Sequence, residues 1–425
     1  MLTQVFSGGL TVPVPTAAPE RNGVDVMITE EAAITALPED DFRVEPLVDQ
    51  GDSVEQGAPV LRSRRHHVLL VTAPMPGRVA SIELGPGHRL SSIRFFLEPE
   101  AGRREVDTHL ANRGDDPGAL RDLLLGTGLW RFFRARPFGQ VPLPTEHPSA
   151  IFVMAVDTRP RAPSPREAIS GRAEAFERGL HALLRMTEGP VFLCQDGGRP
   201  VLEGVVPDRL RPVSVAATHP WGLAGLQIHR LCPAEVGTPV WDIHAEDVAA
   251  IGSLLETGRV PETRLVSIAG PALRQAREVR CQPGADLREL CHGIVAPGPH
   301  TIVSGSALDG REAHWLRHRD RQVTVLGGKP KRRAPHWFLS ALETASRPKP
   351  LIPTAALDQA LGGDLPAAPF LRALTSGDTE TFRRLGGLSF VEEDLALADY
   401  ITGAAPSLRA CLSALLHRIA VEEAA

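Results

Sequence analysis

Lysine is almost missing from this 425-residue chain, which has three (Lys329, Lys331 and Lys349) against 43 arginines. None precedes Lys329, and this excludes a carrier whose cofactor swings on a modified lysine anywhere upstream. The arginine excess reads as compositional bias rather than as a binding device. Net charge is only −5, so no global field draws the chain to nucleic acid, whose binding rests on phosphate neutralisation. No uncharged apolar run approaches the roughly 20 residues that cross a bilayer, and membrane contact is expected through partners. Residues 1–9 lack the basic and apolar regions of a secretory signal. Cysteine is scarce and scattered: Cys194, Cys232, Cys281, Cys291 and Cys411 are an odd set without Cys-x-x-Cys. This is neither a disulfide framework nor a clustered thiolate site, so each cysteine is expected to be a small buried hydrophobe in a reducing cytoplasm.

What is plentiful is glycine and proline, 39 and 38, which predicts many turns and short strands. The length allows two to four domains. Two half-motifs stand near the start, Val48-Asp49-Gln50-Gly51-Asp52-Ser53-Val54-Glu55-Gln56-Gly57 and Ala73-Pro74-Met75-Pro76-Gly77-Arg78-Val79-Ala80-Ser81-Ile82. Each alternates apolar positions and breaks at glycine where a tight turn needs φ > 0. The pattern predicts a small flattened barrel of lipoyl- or biotinyl-like, barrel-sandwich type. Arg62-Ser63-Arg64-Arg65-His66-His67 occupies the hairpin where a carrier lysine would stand. A swinging-arm carrier is therefore excluded.

Downstream, Asp115 to Leu125 predicts a helix ended by Gly126-Thr127-Gly128. Strands at Ile151 to Val156, Val191 to Cys194, Val213 to Ala216 and Pro239 to Ile243 interleave with helices at Arg172 to Met186 and Glu246 to Leu255, a βαβ-type open sheet. Leu265 to Pro271, Glu278 to Ala285 and Asp286 to Leu290 read as a hairpin plus helix, a β-grasp-like unit closing with strand Thr301-Ile302-Val303. Lys329-Pro330-Lys331-Arg332-Arg333 opens a linker. Five short helices between Thr354 and Val421 follow. The expected class is multidomain α/β (α+β), divided at 1–104 (N-terminal segment and barrel), 105–258 (degenerate Rossmann-like sheet), 259–328 (β-grasp, SLBB-like) and 329–425 (linker and C-terminal helical domain).

An open sheet that binds nucleotide advertises a Gly-rich turn at a helix N-terminus. The best candidate, Gly126 to Arg134, begins with glycines and then fills with bulk, so it reads as a nucleotide site that has been closed. In a chain with 5% aromatics, Trp130 to Phe138 holds four of them with three arginines. Two readings stay open here: an aromatic slot with an arginine donor, suited to a quinone ring and its carbonyls, or an interface plug with solvated arginines. His66-His67, His219, His229 and His244 show no metal-ligand spacing and read as core or surface histidines. Ser304-Gly305-Ser306 is no nucleophile elbow, leaving hydrolase chemistry without support.

Several separated signatures carry a resemblance: Gly9-Leu10-Thr11-Val12-Pro13, Gly128-Leu129-Trp130, Arg136-Pro137-Phe138, Val240-Trp241, Asp247-Val248-Ala249-Ala250-Ile251-Gly252, Ser267-Ile268-Ala269-Gly270-Pro271, Val303-Ser304-Gly305-Ser306, Leu351-Ile352-Pro353-Thr354 and Glu392-Glu393-Asp394-Leu395-Ala396-Leu397. In this order they resemble the NqrA family, which belongs to the sodium-translocating NADH:quinone oxidoreductase and is related to the flavin-carrying subunit of respiratory complex I and to the Rnf C subunit. The resemblance implies a peripheral, non-flavin subunit of a six-subunit NADH:ubiquinone reductase that exports Na+. It implies no complete active site here and no covalent cofactor, with FMN, FAD, riboflavin and iron–sulfur centres in partner subunits. A place on the cytoplasmic side of the inner membrane goes with it. Quinone contacts are expected at Leu37, Phe42 and Arg43 and at Trp130, Phe132, Arg136 and Phe138. One departure stands out: the family's Cys-Thr-Phe-Val-Cys-Pro-Gly-Lys is replaced by Ala398-Asp399-Tyr400-Ile401-Thr402-Gly403-Ala404-Ala405. Both cysteines, at the Ala398 and Thr402 positions, are gone. The alternative is a non-catalytic scaffold, either a divergent paralogue or an Rnf C-like relative without clusters.

Overall fold

The computed structural model describes residues 8–13, 23–36, 41–114, 116–202, 204, 206–328, 354–404 and 406–424. These form a mixed α/β arrangement of four sheets with a C-terminal helical region.

Two small sheets come first. Glu31–Thr35, Arg89–Leu97, Gly77–Gly85 and Ser53–Val54 make one, and Val44–Pro46, Pro59–Ser63 and Leu70–Thr72 the other. Between them lie Val44, Val60, Leu61, Val71, Val79, Leu90, Ile93 and Phe95. The inward parity changes between Leu90 and Ile93 because the register against Gly77–Gly85 shifts there, which is what an extra residue in one strand does. Gly51 and Gly57 take the left-handed turns expected of them.

The central sheet runs Leu210–Val215, Val191–Asp196, Ala150–Ala155, Val240–His244, all parallel, with Arg134–Arg136 as an antiparallel edge. Ala150–Ala155 is buried at every position, the reason it appears in the sequence as an unbroken apolar run. Ile151, Val153 and Ala155 face helices Pro117–Gly126, Ala173–Met186 and Ala245–Thr257. Phe152 and Met154 face Ala224–Leu231 and the C-terminal helices. Ala175, Phe176, Leu180, Leu183 and Leu184 are buried on one stripe of their helix, as the 3.6-residue period requires. Among the described residues the C-terminal helices share their core with the sheet, through Phe370, Phe382, Phe390 and Leu412.

A six-stranded third sheet has the order Asp25–Val26, Arg277–Cys281, Arg264–Ala269, Gln322–Gly327, His300–Ser304, Arg311–Glu312. It corrects the expectation that this unit closes at Val303. Gln322–Gly327 lies between Arg264–Ala269 (parallel) and His300–Ser304 (antiparallel), so the later strand fills the middle. The N-terminal segment does not stay with the small sheets either. Asp25–Val26 pairs with Val279 and Arg280, and Leu10 bridges to His219, because exposed edges and helix ends there offer unpaired backbone groups. All five cysteines are unpaired thiols, three buried and two partly so. No helix among the described residues is long and apolar enough to cross a membrane.

Helices Ala173–Met186 and Ala245–Thr257 cross so closely that a Cβ on Gly252 would run into the Ala175 carbonyl, and one on Gly179 into that of Val248. Alanine gains about 1 kcal/mol over glycine in an open helix. Here the obstacle is backbone, so overpacking of about 1–3 kcal/mol outweighs that gain. Gly252→Ala is expected to lower stability in chemical denaturation, and a stabilised variant would contradict the crossing.

Candidate functional site

The Gly128–Phe138 segment is held by the central sheet and faces two ways. Gly128 (φ +75) ends the preceding helix, Leu129–Phe132 makes a 3-10 turn, and Arg134–Arg136 pairs with Val240–His244. Trp130 and Phe133 are fully buried against Trp241, each with ring centroids 5.4 Å away. The Trp130 indole N–H donates to the Pro142 carbonyl at 2.9 Å. Trp130 is therefore a core anchor, not the wall of a slot. Arg136, also fully buried, donates to Asp242 at 2.5 Å and to the Ser389 carbonyl at 3.2 Å. It ties the edge strand to the C-terminal helices, with Asp394 3.8 Å from its remaining nitrogen, and none of it is exposed. Phe138 packs on that same side. The expected quinone contacts Trp130, Arg136 and Phe138 are thus not brought together: Trp130 lies in the core under helices Pro117–Gly126 and Ala173–Met186, Arg136 is buried toward the C-terminal helices, and Phe138 is partly buried beside it. Arg43 is a half-exposed partner of Asp41 at 3.2 Å, and Leu37 lies outside the described residues.

The Gly126 to Arg134 turn, read as a closed nucleotide turn, leads into an edge strand antiparallel to Val240–His244 and so lies toward the carboxyl end of that strand. In an open parallel sheet the ligand crevice lies at the carboxyl ends of the strands where their order reverses, here beyond Ala150–Ala155 and Val240–His244. That place is filled by ion pairs. Arg159 meets Asp157 at 2.6 Å and Asp309, from the third sheet's unit, at 3.3 Å. Gln322 donates to the Pro160 carbonyl at 2.7 Å, and Thr158 lies 3.2 Å from His219.

Open space occurs instead where the small sheets, the Gly128–Phe132 turn, the N-terminus of Ala245–Thr257 and the third sheet meet. A cavity of about 90 Å3 there is lined by Ile34, Thr35, Val71 and Thr72, by Arg131 and Phe132, by Glu246 and Asp247, and by Arg264, Gly284 and His318, among others. Gly284 (φ +75) lies so close to the Ala33 carbonyl that a Cβ would meet backbone, and its own carbonyl accepts from the Ala33 amide at 2.9 Å. This contact frames one wall.

Phe132 is at the centre. Its ring stacks on His318, 4.4 Å between centroids and 26° between planes, and the Arg264 guanidinium lies 4.9 Å from the ring. Arg264 donates to the His318 carbonyl at 2.5 Å, and the His318 Nε2 lies 3.2 Å from the Arg131 carbonyl. Arg131 in turn covers the Phe42 ring at 5.2 Å. Burial, with Arg131 and Arg264 adding to it, holds the His318 imidazole well below its usual range, so it is neutral near pH 7. Behind the wall, Arg321 bonds Glu246 at 3.2 Å and Asp247 at 2.7 Å, Arg280 bonds Glu246 at 3.1 Å, and Arg172 stands 3.9 Å from it.

Of the seven sequence-predicted contacts, the cavity gathers Phe132 directly and Phe42 through Arg131. Sequence reading missed Arg264, His318, Glu246 and Asp247. The signal available, for His318 alone, was the dense run Arg317-His318-Arg319-Asp320-Arg321. The histidines are core or surface groups. His244 caps the Ala245–Thr257 helix by accepting from the Glu246 amide at 3.1 Å, His229 packs 5.2 Å from the Phe390 ring, and His67 is exposed. At the two replaced cysteine positions, Thr402 donates to the Ala398 carbonyl at 2.8 Å within one helix.

Residues 116–260 match the family profile described as the NqrA second alpha/beta domain, and residues 265–314 that of the NQRA C-terminal domain, of SLBB type. The class is thus an NqrA-type α/β protein with an SLBB domain. The chain is 34% identical over 405 residues to the A subunit of the Na(+)-translocating NADH-quinone reductase of Marinomonas sp. (strain MWYL1), covering 86% of this chain and 89% of that one. It is 32% identical over 428 residues to the protein of the same name from Rhodopirellula baltica, covering 92% of each. An NAD+-reducing [NiFe]-hydrogenase crystal structure aligns at a TM-score of 0.37 and 12% identity over 73% of this chain and 65% of that one, too slight a likeness to carry an argument. The chain belongs to the NqrA family, the A subunits of the Na(+)-translocating NADH-quinone reductase. Both relatives carry the reductase name, which disfavours the scaffold alternative.

Burial pushes the His219 imidazole down from its usual 6.5 to about 4. Within that window the unfolded chain takes up a proton that the folded chain refuses, so this contribution to stability is whole above pH 6.5 and lost as the pH falls toward 4. Asp394, which burial pushes up to about 7, has the opposite slope, so the comparison needs a variant. His219→Gln is expected to make the fall in thermal midpoint between pH 6.5 and 4 shallower than in the wild type. Parallel curves would show that His219 is not the group responsible.

Proposed function

We propose that this chain is the peripheral, non-flavin subunit of a six-subunit reductase on the cytoplasmic side of the inner membrane, and that its junction cavity takes the head group of ubiquinone. Electrons would come from NADH through FMN, FAD, riboflavin and iron–sulfur centres of partner subunits, coupled there to Na+ export. The small sheets are then a barrel-sandwich hybrid without its carrier lysine, and the central sheet a degenerate Rossmann-like one. The proposed units are 1–104, 105–258, 259–328 and 329–425, with the N-terminal segment lending a strand to the third.

Family membership supports the reductase role, and the arrangement around Phe132 carries the site. A flat ring needs an apolar face and a few placed donors. The cavity supplies the Phe132–His318 stack and the Arg264 guanidinium. Its volume is below the roughly 150 Å3 that encloses a benzene ring, so one edge of the quinone enters while the isoprenoid chain stays outside. Phe132 and His318 orient that edge, and Arg264 donates to a carbonyl oxygen.

In the assembled reductase, Phe132→Ala is expected to raise the KM for a short-chain ubiquinone roughly five- to tenfold, the loss of one aromatic contact. Trp130→Ala should act on stability rather than on KM. An unchanged quinone KM in a well-folded Phe132→Ala enzyme would remove the cavity from the quinone path.

A further inference from the structure

The described residues hold several buried side-chain nitrogens with no hydrogen-bond partner, and among them the Nε of Arg264 is the one on a residue that lines the cavity. Arg264 is 5% exposed. Its hydrogen bond goes to the His318 carbonyl and its face lies over Phe132, and no carboxylate stands within ion-pair distance of it among the described residues. The nearby carboxylates are already engaged: Glu246 by Arg280 and Arg321, Asp247 by Arg321. An arginine N–H buried without an acceptor is costly. At the cavity wall this guanidinium is neutralised by no carboxylate, so an oxygen brought in by a ligand is favoured there, and a negatively charged oxygen most, since charge-assisted hydrogen bonds are about twice as strong as neutral ones.

We infer that Arg264 makes this cavity selective for a planar ring bearing an anionic oxygen, so that the ionised form of a hydroxylated quinone binds there more tightly than the neutral quinone. The inference rests on the reading that the cavity takes a quinone and goes beyond it by naming the charge state preferred and the residue that sets the preference. Three features act together. The Phe132–His318 stack selects a flat ring. The neutral His318 adds no competing positive charge, and the Arg264 guanidinium, which no carboxylate neutralises, supplies the charge discrimination. Arg131 and Arg172 also line the space, so the local field favours an anion even after Glu246 and Asp247 are counted.

The test uses the full chain and two probes, an alkylated hydroxynaphthoquinone that ionises just below neutrality and the naphthoquinone lacking the hydroxyl, titrated by calorimetry. The ionised probe is expected to bind at least about tenfold more tightly than the neutral one. Its affinity should fall as the pH is lowered through the probe's own ionisation, while that of the neutral probe stays level. This arm needs no variant. Arg264→Gln should abolish the preference, Arg264→Lys should keep part of it, and Phe132→Ala should weaken both probes together. Equal binding of the two probes overturns the charge preference and leaves the quinone cavity standing. Binding of neither overturns the cavity reading and this inference with it. A preference that survives Arg264→Gln in a folded protein assigns the selectivity elsewhere and overturns the role of Arg264.

Discussion

The carboxylate of Glu246 holds the central sheet and the third sheet together. It is 2% exposed, and removing a carboxylate from water costs several kcal/mol unless charge and hydrogen bonds replace the solvent. Here they do. Arg280 and Arg321 bond it, Arg172 stands close, and the Leu265 amide donates to it at 2.9 Å. Its place in the first turn of Ala245–Thr257 adds the favourable end of the helix dipole. Because these partners come from both units, neither can slide on the other without leaving a buried charge unpaired.

The cavity follows from that constraint. Leu265 is fixed to Glu246, so its neighbour Arg264 is fixed beside the Phe132 turn, and the Phe132–His318 stack closes the angle between them. The third wall comes from the small sheets, which the Ala33–Gly284 contact and the Thr29–Gln282 side-chain bonds hold against the third sheet. Space of this kind exists before a ligand arrives, and a preformed site spends little binding energy on ordering itself.

Most of the secondary structure is legible in the sequence because it is written in local signals. The helix over Ala173–Met186 follows from its apolar period, the end of Ala245–Thr257 from Gly258 in a left-handed cap, and Ala150–Ala155 from an apolar run too short for a helix. The N-terminal strand Asp25–Val26 is not legible, since two exposed residues become a strand only through the edge they meet. Nor are most of the cavity's polar groups. Phe132 stands in an aromatic segment that draws the eye, but its stacking partner is 186 positions away, and Trp130 in the same segment is core. In the 3-10 turn over Leu129–Phe132, with three residues per turn, side chains two apart project in different directions, which separates the two roles, and the sequence holds no local mark of which is which.

The scarcity of lysine has a structural counterpart. A guanidinium is a planar fork that can bridge two carboxylates in fixed geometry, whereas an ammonium is a compact, strongly hydrated point charge. The buried ties use that property repeatedly: Arg321 joins Glu246 to Asp247, Arg159 joins Asp157 to Asp309, and Arg134 joins Asp242 to Glu393. Each bridges different parts of the chain or adjacent carboxylates on one helix. Arginine excess is thus bound up with how the units are fastened, which the composition alone presents as mere bias. Arg264 departs from the pattern by holding a carbonyl and an aromatic face but no carboxylate, and it does so where the packing leaves room.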